Sequence, residues 1–444
     1  MKSTQKSLLV KELEKYLKED DYTYNSVSSL KSAYFVDVMA CLRKQVISTS
    51  FTFGDLCKSF LESTIRLCKD AFEIHYVFDA YMTSSIKDSE RSKRYEKTPI
   101  EISQIATDTP LPLDMSSFWV SNRNKIKLER LISNYILSNR FLFLCPVVLS
   151  AFLDDDELIP CTKLEDKQHR EVPELNVGIE EADLRLLPHA KYSILRDKAK
   201  RIVILSNDTD ILVGFLFYCE KLKLFGLEEL WLRGGVGDTV RYIPVHKIAS
   251  IMGHSLCRKV SAMHCLTGND AVSKFGTKLS GLKNLENANL EKFGVDPRLI
   301  SLNEVLVEAE KFWVNVFKSK SKATSIDELR YELYHHSKKS SFIDLPPTSS
   351  ETKKHCLRAF LNTYQYLYAM DFKTMPSLDP SDYGYEIKDD LLIPTRCSVL
   401  FPEDLVFPCA CKVCGTKRLN CRKNEIPCSD YCNCRTNTEC KNDF

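Results

Sequence analysis

Four short apolar runs decide what this chain can fold into. AYFVDVMA at 33–40, FEIHYVF at 72–78, IVILS at 202–206 and ELWL at 229–232 carry few polar residues and are rich in β-branched and aromatic side chains. Such a run reads as a strand buried on both faces, because a strand with one wet face would alternate polar and apolar residues. Helical patterns lie between the runs, at 55–69, 118–137, 180–198 and 209–222. Strand–helix alternation of this kind predicts an α/β fold whose mostly parallel central sheet is flanked by helices. From Pro244 onward the periodicity is helical, over 245–256, 257–267, 302–318, 325–337 and 350–369. The expected organisation is an N-terminal helix (1–30), an α/β domain (31–290), a helical extension (291–370), a proline-containing linker (371–408) and a Cys-rich tail (409–444).

Composition narrows the class further. With 44% apolar and 27% charged residues the chain matches ordinary globular proteins, and Gly and Pro together supply only 31 of 444 residues, which excludes collagen-like and low-complexity chains. The longest uncharged apolar run, Phe141–Leu153, is 13 residues long, too short to span a bilayer as a helix. The first twenty residues read as an amphipathic helix rather than a secretion signal. The expectation is an intracellular, nuclear protein with no membrane partner. A net charge of +2 gives no global field for a polyanion, so nucleic-acid binding would need a local patch.

Several of the apolar runs contain, end in or precede acids. Asp37 lies in YFVDVMA, Asp79 ends HYVFD, Glu181 and Asp183 open a helix in IEEADLRLL, Asp208 and Asp210 follow a strand in ILSNDTDIL, and Asp270 sits in LTGNDAV. Each alone reads as a helix cap or turn residue. In an open parallel sheet, however, ligands gather at the carboxyl ends of the strands, so acids from separate strands would converge on one rim. Like charges that close raise one another's pKa unless cations intervene, and hard oxygen donors suit Mg²⁺ or Mn²⁺. Two such ions can together promote hydrolysis of a phosphodiester.

The order VD…FDA…EEAD…SNDTD…TGND resembles the flap-endonuclease/XPG-type nucleases of the PIN-like superfamily. That resemblance implies that Asp37, Asp79, Glu181, Asp183, Asp208, Asp210 and Asp270 hold two divalent metals, Mg²⁺ or Mn²⁺. Asp183 stands where the family usually has Glu. In DAYMTSSIKDSERSKRYEK, Lys87 and Arg94 are seven residues apart, and the resemblance makes them the catalytic cations that contact the scissile phosphate. Some thirty residues precede the first strand, and SKFGTKLSGLKNL lacks the G-x-G turn of the family's DNA-gripping hairpin. A wider resemblance, to a group of animal proteins associated with mobile elements, rests on HCLTGNDAVSKFG, SIDELRYELY, LPPTSSETKKHCLRAF and DYGYE.

Eight of the 18 cysteines fall in the tail: Cys409, Cys411, Cys414, Cys421, Cys428, Cys432, Cys434 and Cys440. Thiols this dense form disulfides or bind metal, and a reducing compartment favours zinc. The two C-x-C pairs resemble part of a tesmin-type CXC domain, which binds zinc and DNA. Leu419 stands where a further C-x-C cysteine would fall, so two Cys₄ sites and a defective three-zinc cluster both fit. Residues 409–444 carry a local charge of +3, which would aid phosphate binding without specifying sequence. The expected function is a divalent-metal-dependent nuclease acting on nucleic acid, DNA before RNA. The alternative is a non-catalytic nucleic-acid-binding protein, a domesticated mobile-element product that uses the zinc tail.

Overall fold

The computed structural model describes residues 6–26, 29–46, 51–81, 100–154, 157–165, 168–235, 237–318, 321–336, 345–388 and 391–395, with Cys428, Cys434 and Cys440. Lys87, Arg94 and the tail residues Cys409, Cys411, Cys414, Cys421 and Cys432 lie outside the described residues.

The apolar runs become the centre of one sheet. Its strands are β1 (Ser32–Asp37), β2 (Glu73–Val77), β3 (Val147–Leu149), β6 (Thr162–Glu165), β7 (Gln168–Glu171), β8 (Arg201–Leu205), β9 (Glu229–Gly234) and β10 (Arg241–Pro244), while β4 (Phe152–Asp154) and β5 (Glu157–Ile159) pair separately. The order is β10-β9-β8-β1-β2-β3-β6-β7. Neighbours from β9 through β3 run parallel, and β10, β6 and β7 add antiparallel edges. Every residue of β1, β2 and β8 is buried, because both faces are covered. Along β1, Ala33 and Phe35 enter one core while Tyr34 and Val36 enter the other, which is why the run shows no polar alternation.

The helices are α1 (Lys6–Glu14), α2 (Val38–Leu42), α3 (Phe53–Leu67), α4 (Met115–Phe118), α5 (Asn122–Ser138), α6 (Ala182–Tyr192), α7 (Thr209–Leu224), α8 (Val245–Leu266), α9 (Lys278–Lys283), α10 (Leu302–Phe317), α11 (Ile326–His336) and α12 (Ser349–Tyr368). Helices α3 and α5 cover one face through Phe60, Leu128 and Ile132. Helices α1, α6, α7 and α8 cover the other, and α10 and α12 join the same core through Trp313 and Phe360. Residues 1–395 form one compact unit and 396–444 a second.

Four local departures from the sequence pattern stand out. The first strand stops at Asp37 because its carboxylate accepts the Ala40 N–H at 2.9 Å and caps α2. The two helical stretches 245–256 and 257–267 join as α8, kinked at Gly253, whose φ of 76° no other residue adopts cheaply. The apolar run 141–153 divides: Phe141 and Leu144 project into solvent, whereas Val147–Leu149 becomes buried β3. Within 371–395, residues Tyr385–Lys388 and Leu391–Pro394 pair as the hairpin β11–β12.

No described helix is long and apolar enough to cross a membrane.

Candidate metal centre

The chain runs outward from β1 to β2 and β3, then returns to β8 and β9 on the other side of β1. The crevice between the carboxyl ends of β1 and β8 is therefore the point where strand order reverses, the usual ligand site of such a sheet. Register brings the acids there. Asp37 pairs with Val77 and Val36 with Leu205, so the chain segments after β1, β2 and β8 leave the sheet at the same level.

Three carboxylates meet closely. One oxygen from each of Asp183, Asp208 and Asp210 lies within 4.8 Å of the others. Asp183 occupies the first turn of α6, and Asp208 caps α7 by accepting the Asp210 N–H at 2.9 Å. Two helix N-termini thus converge on one point, and their exposed N–H groups temper the repulsion among the acids. Asp210 is almost fully buried and pairs with His264 Nε2 at 2.8 Å. Tyr366, from α12, packs behind the group, where burial and the charges of Asp210, Asp183 and Asp208 push its hydroxyl pKa well up.

Asp37 adjoins this group. Its second oxygen accepts the Ser206 hydroxyl at 3.0 Å. Burial, with Asp79 and Asp208 adding repulsion, pushes its carboxyl up to about 7, against the pull of the bonds from Ala40 and Ser206. Asp79 accepts the Ala182 N–H at 2.9 Å and the Tyr81 hydroxyl at 2.9 Å, which ties the end of β2 to the start of α6. Glu181 and Asp270 are half-buried on flanking segments, and their carboxylates fall outside the 4.8 Å group. Asp270 lies within a turn that Asn269 closes by accepting the N–H groups of Ala271 and Val272, each at 3.0 Å.

Some functional neighbours escape sequence reasoning. His264 sits in a helical apolar stretch that reads as packing, yet it orients Asp210. Glu129 and Arg185 are fully buried beside Asp79, and their helical periodicity carries no hint of it. In the core beside the rim, Tyr34 bonds Asp70 at 2.7 Å and Tyr76 meets Thr64 at 2.9 Å.

The donor set is all carboxylate, and two of its members, Asp37 and Asp210, are nearly buried. That chemistry fits a hard divalent cation. In the second unit, one thiol sulfur from each of Cys428, Cys434 and Cys440 lies within 4.8 Å of the others. The Cys434 and Cys440 sulfurs are 3.6 Å apart, far beyond a disulfide and close to the ~3.8 Å that tetrahedral zinc–thiolate geometry implies. These are a possible acidic metal site and a possible three-cysteine metal site. No family model matches the chain, and no curated protein matches it.

Proposed function

We propose that the chain is a divalent-metal-dependent nuclease related to the flap-endonuclease/XPG-type enzymes, with a PIN-like α/β domain. The observation that carries the reading is the meeting of Asp183, Asp208 and Asp210 at the switch point of the sheet, with Asp37 alongside. Asp37, Asp79, Asp183, Asp208 and Asp210 would hold the cations, with Glu181 and Asp270 at the margin. Bound Mg²⁺ or Mn²⁺ supplies an activated water and a counter-charge for the leaving oxygen. The protein's own part is positional. His264 holds Asp210 in one orientation, Ser206 does the same for Asp37, and the N-termini of α6 and α7 fix the remaining acids. Lys87 and Arg94 take the role of phosphate contacts from the family resemblance.

The test is cleavage of labelled single-stranded, flap and hairpin DNA and RNA with Mg²⁺ or Mn²⁺, beside an Asp208→Ala/Asp210→Ala variant. Metal-dependent cutting that the variant loses supports the reading. Absence of cutting by both proteins overturns it.

A second reading has its own observation, the three-cysteine cluster of the second unit. In that reading a zinc-organised tail binds nucleic acid and the acidic rim is not catalytic. Nucleic-acid binding that disappears with Cys434→Ser, in a chain that never cuts, would favour it.

A further inference from the structure

Behind Asp79 lie two buried ionisable side chains, Glu129 and Arg185, that the metal reading leaves unused. Glu129 projects from α5, on one side of the sheet, with no solvent exposure, and neither carboxylate oxygen has a hydrogen-bond partner. Arg185 projects from α6, on the other side, and is 1% exposed. Its Nη1 donates to the Phe78 carbonyl at 2.7 Å, while Nε and Nη2 have no partner. Both side chains lie near the end of β2, with no ion pair between them. Each feels the charge of the other and of Asp79.

Buried polar groups left without partners are costly, and burial pushes the Glu129 carboxyl well above the usual carboxylate range while Arg185 keeps one bond, to the Phe78 carbonyl. Here the pair brackets the two residues that carry β2 into the acidic rim. Arg185 holds the carbonyl of residue 78, and Glu129 lies close enough to feel the Asp79 charge. The Asp79 side chain in turn accepts the Ala182 N–H, one residue before Asp183. Displacing the pair would therefore move Asp79 and the first turn of α6 together.

We propose that Glu129 and Arg185 are positioning residues that set the place of Asp79, and through it the divalent-cation affinity of the rim. This rests on the metal-binding part of the nuclease reading but not on cleavage. It differs from a plain counter-charge role in sign. If Arg185 only neutralised the acids, its removal would tighten cation binding; as a positioning group, its removal weakens binding.

The experiment titrates the full chain with Mn²⁺, followed by electron paramagnetic resonance, for the parent protein and the variants Glu129→Gln, Arg185→Met, Arg185→Lys and Glu129→Gln/Arg185→Met. Thermal unfolding is recorded in parallel, and cleavage is scored separately. Outer residues around metal ligands typically change affinity by about 10–100-fold, so Arg185→Met should weaken Mn²⁺ at least about tenfold. Glu129→Gln should weaken it less, because the amide keeps the shape. Arg185→Lys should recover part of the loss, and the double variant should lose less than the product of the singles. Unchanged or tighter Mn²⁺ binding in Arg185→Met, with only a lower melting temperature, would assign the pair to stability and overturn the proposal. So would a parent protein that binds no Mn²⁺ at the rim. A parent that binds Mn²⁺ but cuts nothing would sink the nuclease reading and leave this inference standing.

Discussion

His264 Nε2 lies 2.8 Å from Asp210 Oδ1, and both side chains are shut off from solvent. The histidine stands near the end of α8 and the aspartate in the first turn of α7, so the bond spans two helices that pack face to face. It holds the Asp210 carboxylate in one rotamer.

Loss of that bond should register as metal affinity. His264→Ala is expected to weaken Mn²⁺ binding by about tenfold, the usual scale for a group that orients a ligand, whereas His264→Gln should keep part of it. Mn²⁺ titration at fixed pH measures this. Equal affinity in parent and alanine variant would show that Asp210 needs no orienting partner.

The raised carboxyl of Asp37 gives a pH dependence with a definite sign. Its folded value of about 7 lies above the ordinary 3.8, so between the two the folded state holds a proton that the unfolded state has released. Without metal, this group's contribution to stability is therefore lost as pH rises from about 4 to about 7, at most on the order of 4 kcal/mol. Asp37→Asn should remove that decline. Urea midpoints at pH 4 to 8, taken in chelator, will show the parent falling and the variant flatter; parallel curves would refute the assignment.

Gly268, in the TGND turn, adopts φ +93°, and a Cβ there would meet the Lys274 Cα and the Ser273 carbonyl at 2.6 Å. Lys278, buried nearby, donates to the carbonyls of His264 and Gly268, each at 2.6 Å, and closes the end of α8. Gly268→Ala should cost about 2 kcal/mol or more, combining backbone strain with the clash. It should also disturb Asp270, which the turn carries. A chemical-denaturation curve indistinguishable from the parent's would contradict this.

For the tail, native mass spectrometry of protein purified under reducing conditions should find bound zinc, released on acidification. Cys434→Ser and Cys440→Ser should each lower the zinc content. Thiol titration that finds these cysteines oxidised, with no zinc present, would replace the metal site with disulfides.

The central strands were legible because burial on both faces leaves a local mark: β1 and β8 are continuous apolar runs, while their register is fixed by pairing in the sheet. The edge strands left weaker marks. β7, QHRE, is exposed at every residue and has no apolar pattern to read, so only its pairing with β6 makes it a strand. The acids were visible as residues, and the order of strands brings Asp183, Asp208 and Asp210 together.

What the sequence by itself determined is the buried parallel core and the placing of acids at its strand ends, since both follow from short stretches of chain. Tertiary structure alone decided who stands behind those acids. Glu129, Arg185 and His264 come from three helices in two layers, and their meeting depends on packing across the sheet. A helix's period tells which of its faces turns inward. It does not tell which partner will be waiting there.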